Sequence, residues 1–380
     1  MKSVEKLNAI DFFAGSGLVT EGLSESFDVV WANDNCPRKK AVYTQNFGTE
    51  HFVDVSITEV HGRDLPEAEL CWASFPCQDL SLAGNMTGIE TGDRSALFWE
   101  WIRILDEMEP ENRPPVLCIE NVVGFLVAQG GSQFRLAYEA LKDRGYVAGA
   151  FVLDVRHFTP QSRPRSFIVA THEDVSIDGL TSVSPLDHVH TSSVMRAFAA
   201  VDDRDWVWWK LPELPIRKQD FTNICERDAP CDSAEKTAYN LSLLSEGHRL
   251  RLEEAMASGR FLAGTGYKRV RRSKDGERRQ FLELRFDGLA GCLRTPRGGS
   301  SRQFVVIVDK GDVKTRLLTI REAARLMGVR DNYWFPPKYN DAYLALGDAV
   351  AVPVTRFLSQ NLLRPLSARA RSLSTEAASV

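Results

Sequence analysis

Cys77 lies in Phe75-Pro76-Cys77-Gln78-Asp79-Leu80-Ser81, directly behind the apolar run Leu70-Cys71-Trp72-Ala73-Ser74. The run reads as a buried strand, and a proline at its end stops the hydrogen-bond ladder and fixes the turn. A thiol is thereby held at the C-terminal mouth of a strand, where open α/β sheets gather ligands. Ionised, it is a nucleophile. Taken alone, a cysteine behind an apolar run is structural, because free cysteine is among the most buried residue types. A second group of residues changes that balance. Leu7 to Phe13 reads as a strand, Asp11-Phe12-Phe13-Ala14-Gly15-Ser16-Gly17-Leu18 runs into a turn, and a helical pattern starts at Val19. Strand, glycine turn and helix form the context of nucleotide binding, with glycines admitting a ligand close to the backbone. The loop is not GxGxxG and has no Walker lysine, so neither a dinucleotide nor a triphosphate is the first choice. Val29 to Ala32 ends at Asn33-Asp34, and His51 to Val53 ends at Asp54. Three acidic strand ends, Asp11, Asp34 and Asp54, suit the ribose and base of an adenosine-containing ligand.

These groups need a sheet to hold them. Residues 7 to about 172 alternate strands with helical stretches, the pattern of an α/β sheet. Val116 to Ile119, ending at Glu120, and Ser166 to Ala170 are strand candidates; Leu97 to Met108 and Phe134 to Arg144 are helical. Between His172 and Trp206, Ser, Thr, Asp and His break the pattern, which reads as a linker into a second domain. Trp206, Trp208 and Trp209 read as core or loop anchors. Leu241 to Met256 looks helical and residues 260 to 318 look β-rich. Thr319 to Gly328 is a capped helix, with Thr319 at the N-cap, Glu322 three residues on and Gly at the end. Beyond Pro365 a Ser-, Ala- and Arg-rich tail reads as disordered. Basic residues cluster at Lys268, Arg269, Arg271, Arg272 and Lys274, around a hairpin turn, and again from Arg294 through Arg297 to Arg302. Either run suits phosphate contacts; a lone basic run is as readily a solvated face.

Composition agrees. A chain of 380 residues with 43% hydrophobic content buries a large core and splits into two domains. No apolar stretch is long enough to span a membrane, the start lacks a signal-peptide core, and seven cysteines without paired or metal-like spacing suit a reducing cytoplasm. The net charge of −4 is compatible with a DNA enzyme whose basic residues share one face.

The Asp11-to-Gly17 loop, Phe75-Pro76-Cys77-Gln78, Glu120-Asn121-Val122, Gln161-Ser162-Arg163-Pro164-Arg165 and Gly347-Asp348-Ala349-Val350 occur in the order found in DNA (cytosine-5) methyltransferases of the bacterial restriction–modification type. The chain resembles that family over roughly residues 7 to 365. The resemblance implies a Rossmann-like, S-adenosylmethionine-dependent methyltransferase domain with a smaller, β-rich target-recognition domain. Residues 1–175 would form the first part of the catalytic domain and 176–318 the recognition domain. Residues 319–366 would form a hinge helix and a returning segment, with the tail at 367–380. It implies a sequence-specific enzyme that flips a cytosine out of duplex DNA, adds Cys77 to C6 and moves a methyl group to C5. Glu120 would meet the N3 and N4 edge in protonated form. Arg165 would meet O2, with Arg163 in support. Phe13, Gly15 and Gly17 would line the cofactor loop, Asp34 would hold the ribose, Asp54 and Val55 would meet the adenine beside Leu97, and Asp348 would accept from the cofactor's amino group. Ser81 would contact a phosphate, and the Gln78-to-Arg94 segment would close over the DNA. Lys268, Arg269, Arg271, Arg272, Arg297 and Arg302 are the other DNA candidates. The implied partner is double-stranded DNA, met by a cytoplasmic monomer, with room for a cognate restriction endonuclease.

Two positions depart from the family pattern. Asn35 stands where some members place a tryptophan against the adenine, and Asp348 stands where asparagine is common, losing an amide donor. Two other readings remain open. An RNA cytosine-5 methyltransferase would share the fold, but the long stretch between Arg165 and Thr319 favours a sequence-reading DNA enzyme. A non-catalytic DNA-binding homologue is disfavoured by the intact Cys77, Glu120 and Arg165, and the short lead before the first strand leaves no room for an added regulator.

Overall fold

The computed structural model describes residues 5–76, 96–272, 276–296 and 301–377. The chain divides into two compact units. The first comprises Met1–Leu153, Pro164–Leu214 and Val354–Val380; the second comprises Asp154–Arg163 and Pro215–Pro353.

The first unit starts with β1 (Leu7–Phe12), α1 (Leu18–Leu23), β2 (Phe27–Asn33), α2 (Pro37–Phe47), β3 (Phe52–Val53) and β4 (Leu70–Ala73). It continues with α3 (Ala96–Glu107), β5 (Val116–Val122), α4 (Ser132–Lys142), β6 (Tyr146–Asp154), β7 (Pro164–His172) and α5 (Ser192–Val201). The strands form one sheet in the order β3-β2-β1-β4-β5-β7-β6. β1, β2, β3, β4 and β5 pair in parallel, and β7 runs antiparallel to β5. The chain leaves β1 toward β2 on one side and returns to pair β4 on the other, so the strand order reverses beside β1, the place where open α/β sheets take ligands. The odd and even residues of β1 face different layers. Ile10 and Phe12 enter a core with Trp31, Phe98, Trp101 and Phe134, whereas Asp11 turns toward α1 and α2.

The second unit holds α6 (Phe221–Ile224), α7 (Ala234–Ser242), α8 (Glu246–Ala257), β8 (Leu262–Arg272), β9 (Arg278–Arg285), β10 (Gln303–Asp309), β11 (Asp312–Leu317), α9 (Ile320–Leu326) and α10 (Tyr339–Gly347). Its four strands form an antiparallel sheet in the order β11-β10-β8-β9. One face packs Leu282, Leu284, Phe304, Val306 and Val308 against Leu244, Leu252 and Ala255. The chain then returns to the first unit through α11 (Val352–Leu358) and ends in α12 (Arg364–Ala377).

Several boundaries differ from the sequence expectation. The stretch read as a linker contains α5, and Trp206 stacks on Tyr138 at 5.6 Å within the core of the first unit. Residues 176–214 therefore belong to the unit of the seven-stranded sheet rather than to the second unit, while 154–163 and 319–353 belong to the second unit. The helix expected over 241–256 is two helices, broken where Ser245 starts the second one. The tail expected to be disordered is helical to Ala377, because Leu366 and Ala370, four residues apart, are both buried. Trp209 is an anchor as expected, fully buried with its indole N–H donating to the Val169 carbonyl at 2.9 Å. No helix among the described residues is long and apolar enough to cross a membrane.

Candidate active site

The loop after β1 is built from left-handed backbone. Phe13 and Gly15 both have φ 58° and Gly17 has φ 84°. Such a φ is uncommon for a residue with a side chain, so Phe13 is held there by its surroundings. The two glycines serve different ends. A Cβ on Gly15 would meet nothing closer than 3.7 Å, whereas one on Gly17 would lie 2.4 Å from the Phe47 ring. Gly15 is thus required by its φ, and Gly17 also by the close packing of α2. The Ala14 amide donates to the Asn33 carbonyl at 2.8 Å, and the Gly15 amide to Asp34 Oδ2 at 3.0 Å. Asp34 Oδ1 accepts from the Cys36 amide at 2.8 Å. The carboxylate is 9% exposed and aimed by two backbone donors. Sequence reasoning passed over Asn33, whose amide donates to the Val53 and Val55 carbonyls, both at 2.9 Å. It joins the ends of β2 and β3 and so sets Asp54 and Val55 beside Asp34. Asp54 pairs with Lys40 at 2.7 Å, Val55 and Leu97 are partly buried against the core, and Asn35 is exposed.

Asp11 does not join that group. It is fully buried, with Oδ2 accepting from Thr20 at 3.2 Å and Oδ1 without a hydrogen-bond partner. Thr20 meets the Tyr43 hydroxyl at 3.1 Å, which meets His51 Nε2 at 2.9 Å. Burial pushes the Asp11 carboxyl up to about 8, with the Thr20 hydrogen bond opposing and Asp34 adding to the rise. The expected third acidic ligand is instead a polar pin between β1, α1 and α2.

On the other side of β1, parallel pairing sets Ala73 of β4 opposite Ile119 of β5. The residue after Ile119 is Glu120, and the chain after Ala73 leads through Phe75 and Pro76 to Cys77. Cys77 and Ser81 lie outside the described residues. Phe75 is anchored between Phe98 at 5.5 Å and Phe125 at 5.9 Å, and its carbonyl accepts from Asn121 Nδ2 at 3.4 Å. Asn121, which sequence reasoning left without a role, thus ties the approach to Cys77 to the strand that carries Glu120. Antiparallel pairing sets Arg165 opposite Val122, and its Nε meets Glu120 Oε1 at 3.0 Å. The Glu120 and Arg165 side chains are only 8% and 15% exposed. A nearly dry carboxylate–guanidinium pair can bind a planar, polar base edge and follow a change in its charge.

Arg163, expected to support the base, is instead held by groups of the second unit. It is fully buried in the second unit. Nη1 donates to the Leu293 carbonyl at 2.9 Å, the Gly347 carbonyl at 3.2 Å and Cys292 Sγ at 3.2 Å, and Nη2 to the Ala349 carbonyl at 2.7 Å. Its two Nη atoms are taken up by three carbonyls and a thiol, whereas Arg165 meets Glu120, so the two arginines of the motif make different contacts. Gln161 shares the inward role, donating to the Leu326 carbonyl at 2.9 Å and accepting from the Leu293 amide at 3.0 Å. Asp348 is exposed at the end of α10, between the two carbonyls that Arg163 holds.

The basic residues of β8 divide by strand alternation. Lys268 points toward the packed face, its ammonium over Phe304 at 4.6 Å and Tyr239 at 5.1 Å, and burial lowers its pKa. It is not a free phosphate contact. Arg269 and Arg271 lie on the other face and share Glu283, at 3.2 and 2.7 Å. At the ribbon's end Arg271 faces Arg279 and Arg272 faces Arg278 across the strands, all four exposed. Arg302 is half-buried, with Nε lacking an acceptor. Lys274 and Arg297 lie outside the described residues.

The chain is 26% identical to the Type II methyltransferase M.MspI of Moraxella sp, over 93% of this chain and 69% of that one. It is 31% identical to the Type II methyltransferase M.Bsp6I of Bacillus sp. (strain RFL6), over 95% and 99%. Among solved structures, the Dnmt2 methyltransferase of S. pombe superposes with a TM-score of 0.58 at 18% identity, over 95% and 99% of the two chains, a likeness of fold. The family model of the C-5 cytosine-specific DNA methylases matches residues 7–364. With that match across nearly its whole length, the chain belongs to the C-5 cytosine-specific DNA methylase family.

Proposed function

We propose that this chain is a sequence-specific DNA (cytosine-5) methyltransferase whose reacting groups are Cys77, Glu120 and Arg165. The observation that carries the reading is the Glu120–Arg165 pair at 3.0 Å, on the strand beside the one that leads into Pro76-Cys77. Cytosine C5 is a weak nucleophile. Addition of the Cys77 thiolate to C6 forms an S–C6 bond and moves electron density toward C5, N3 and O2. Glu120, taking up a proton as Arg165 turns from it toward O2, would hold the N3 and N4 edge and pass that proton to N3, while Arg165 would balance the charge at O2. Once C5 has taken up the methyl group, loss of the C5 proton to a base and cleavage of the S–C6 bond would restore the ring and the thiolate. A cytosine inside a duplex must be flipped out to meet these groups.

S-adenosylmethionine fits the loop after β1. Gly15 keeps the left-handed turn free of a side chain, and the buried Asp34 carboxylate, aimed by two backbone donors, is an acceptor suited to a diol. Phe13, Gly15, Gly17, Asp34, Asp54, Val55, Leu97 and Asp348 would hold it, and when bound it supplies an electrophilic methyl group. Duplex DNA would lie against the exposed arginines of the β8–β9 ribbon and the Arg294–Arg302 segment. The protein would act as a monomer in the cytoplasm, beside a cognate endonuclease.

Two experiments test this. Expression in a methylation-free host, followed by genome-wide mapping of 5-methylcytosine, should give one recurring sequence. Methylation of transfer RNA but not duplex DNA would favour the RNA reading. In the second, DNA carrying 5-fluorocytosine at the target should trap the enzyme covalently through Cys77 when cofactor is present. Turnover on that substrate, or a bond to another cysteine, would sink the assignment.

A further inference from the structure

We infer that Arg163 is a positioning residue for the cofactor side of the site, acting through the turn at 347–349, and does not touch the base. The inference rests on the reading of Asp348 as a cofactor contact. The geometry lies wholly within the second unit. Gly347 packs backbone against backbone, since a Cβ there would lie 2.6 Å from the Arg294 carbonyl carbon and the Thr295 nitrogen. Arg163 closes the same junction from inside, holding Leu293 on one segment and Gly347 and Ala349 on the other. The residue between those last two carbonyls is Asp348. With both flanking carbonyls held, the Asp348 backbone has little freedom, which fixes the point from which its exposed side chain extends.

The choice of arginine follows from the geometry. A guanidinium spreads its donors over a rigid plane and reaches carbonyls on several sides at once, whereas an ammonium donates from one point. The rest of the motif is anchored to match. The Arg163 amide donates to Asp154 Oδ1 at 2.8 Å, and the Thr159 hydroxyl and Gln161 amide meet on the Leu326 carbonyl at 2.6 and 2.9 Å. The Tyr267 hydroxyl donates to the Cys292 carbonyl at 2.6 Å, steadying the segment that Arg163 grips.

The test is a double-mutant cycle on the full chain, reading cofactor dissociation constants by calorimetry and steady-state constants on target DNA. Asp348→Ala should weaken cofactor binding roughly tenfold. Arg163→Lys should weaken it by a similar factor and raise the cofactor KM, with kcat at saturating cofactor within about threefold of the parent. In the Asp348→Ala background, Arg163→Lys should add less than about threefold, because the group it positions is gone. Gly347→Ala, which displaces the turn from its other side, should reproduce the loss, and it decides the matter if Arg163→Lys does not fold. A fall in kcat with cofactor KM unchanged would make Arg163 a base contact and overturn the inference, as would losses that multiply in the double mutant or a Gly347→Ala variant with parental affinity. Unchanged affinity in Asp348→Ala alone would instead remove Asp348 from the cofactor site and strike the reading beneath.

Discussion

In the seven-stranded sheet, Asp34 and Glu120 are 9% and 6% exposed, and each carboxylate is aimed by a partner at the end of a strand. On the β8–β9 ribbon, Arg271, Arg272, Arg278 and Arg279 are exposed and face one another across the strands, with Arg271 also paired with Glu283 and Arg279 with Glu277. The first region holds a few groups still, in low dielectric, where geometry decides reactivity. The second accumulates charge at some cost to itself, since like charges opposite each other destabilise a ribbon. On the proposed reading, groups that bind the cofactor and the base are fixed before the ligand arrives, whereas groups that grip a phosphate sit on an exposed ribbon and exchange one partner for another.

The contrast is broken most directly at Glu120. Glu120→Gln keeps the side chain's shape and removes its ability to take up and pass on a proton, so single-turnover methylation should slow about 10²- to 10⁴-fold. A loss under tenfold would mean that the pre-set carboxylate is not the proton source. Asp34→Ala should weaken cofactor binding by about 1.5–3 kcal/mol, the usual loss of a charged acceptor; parental affinity would remove Asp34 from the site.

Asp11 sharpens the comparison, because it is buried in the first region without a proposed part in the reaction. Its folded pKa of about 8 lies above the ordinary 3.8. Between those values the folded protein keeps a proton that the unfolded chain has released. Its contribution to stability is therefore complete below pH 4 and is lost as pH rises toward 8, at a slope approaching about 1.4 kcal/mol per unit. Denaturant titrations across that range should show the slope, and Asp11→Asn should flatten it.

The smallest effects belong to the ribbon and run in opposite directions. Arg272→Ala should lower affinity for target and non-target duplexes alike and reduce the slope of log affinity against log salt by about 0.9, while slightly stabilising the fold. Lys268→Ala should leave the salt slope unchanged and cost about 0.5–1 kcal/mol of stability, from the lost contacts with Phe304 and Tyr239. A flat response at Arg272 would leave the ribbon a solvated surface and move the DNA footprint toward Arg294 and Arg302.

Elements whose signals are local were legible in the sequence. The capping box of Thr319 and Glu322 forms as read, the strands read over residues 7–13 and 70–74 each end one residue earlier, and those read over residues 29–32 and 116–119 lie within longer strands. The glycine loop could be placed because strand, turn and helix follow one another directly between Leu7 and Leu23. What escaped depends on distant partners. Nothing local distinguishes Arg163 from Arg165, two residues apart. One precedes β7 and meets carbonyls well over a hundred residues away, and the other enters β7 opposite Val122. Lys268 and Arg269 differ only by which face of β8 they occupy, and that follows from the packing of Phe304. Helix α5 was hidden by its polar flanks, although Val194 and Ala197 carry a buried stripe. Asn33 and Asn121 looked like ordinary neighbours of acidic residues until the carbonyls they hold came into view.

Helix α12 lies against β1 and its neighbours. Arg364 donates to the Glu5 carbonyl at 3.0 Å, and Arg371 pairs with Glu69 at 2.7 Å, across separations of 359 and 302 residues. During synthesis, the strand that carries the glycine loop emerges long before the helix that covers it, by roughly 20–70 s at ordinary translation rates. In that interval the whole second unit is made and can fold. The order of assembly is thus the reverse of the order of importance to the chemistry: the ribbon of arginines can be complete while the methyl-transfer sheet is still open along one side.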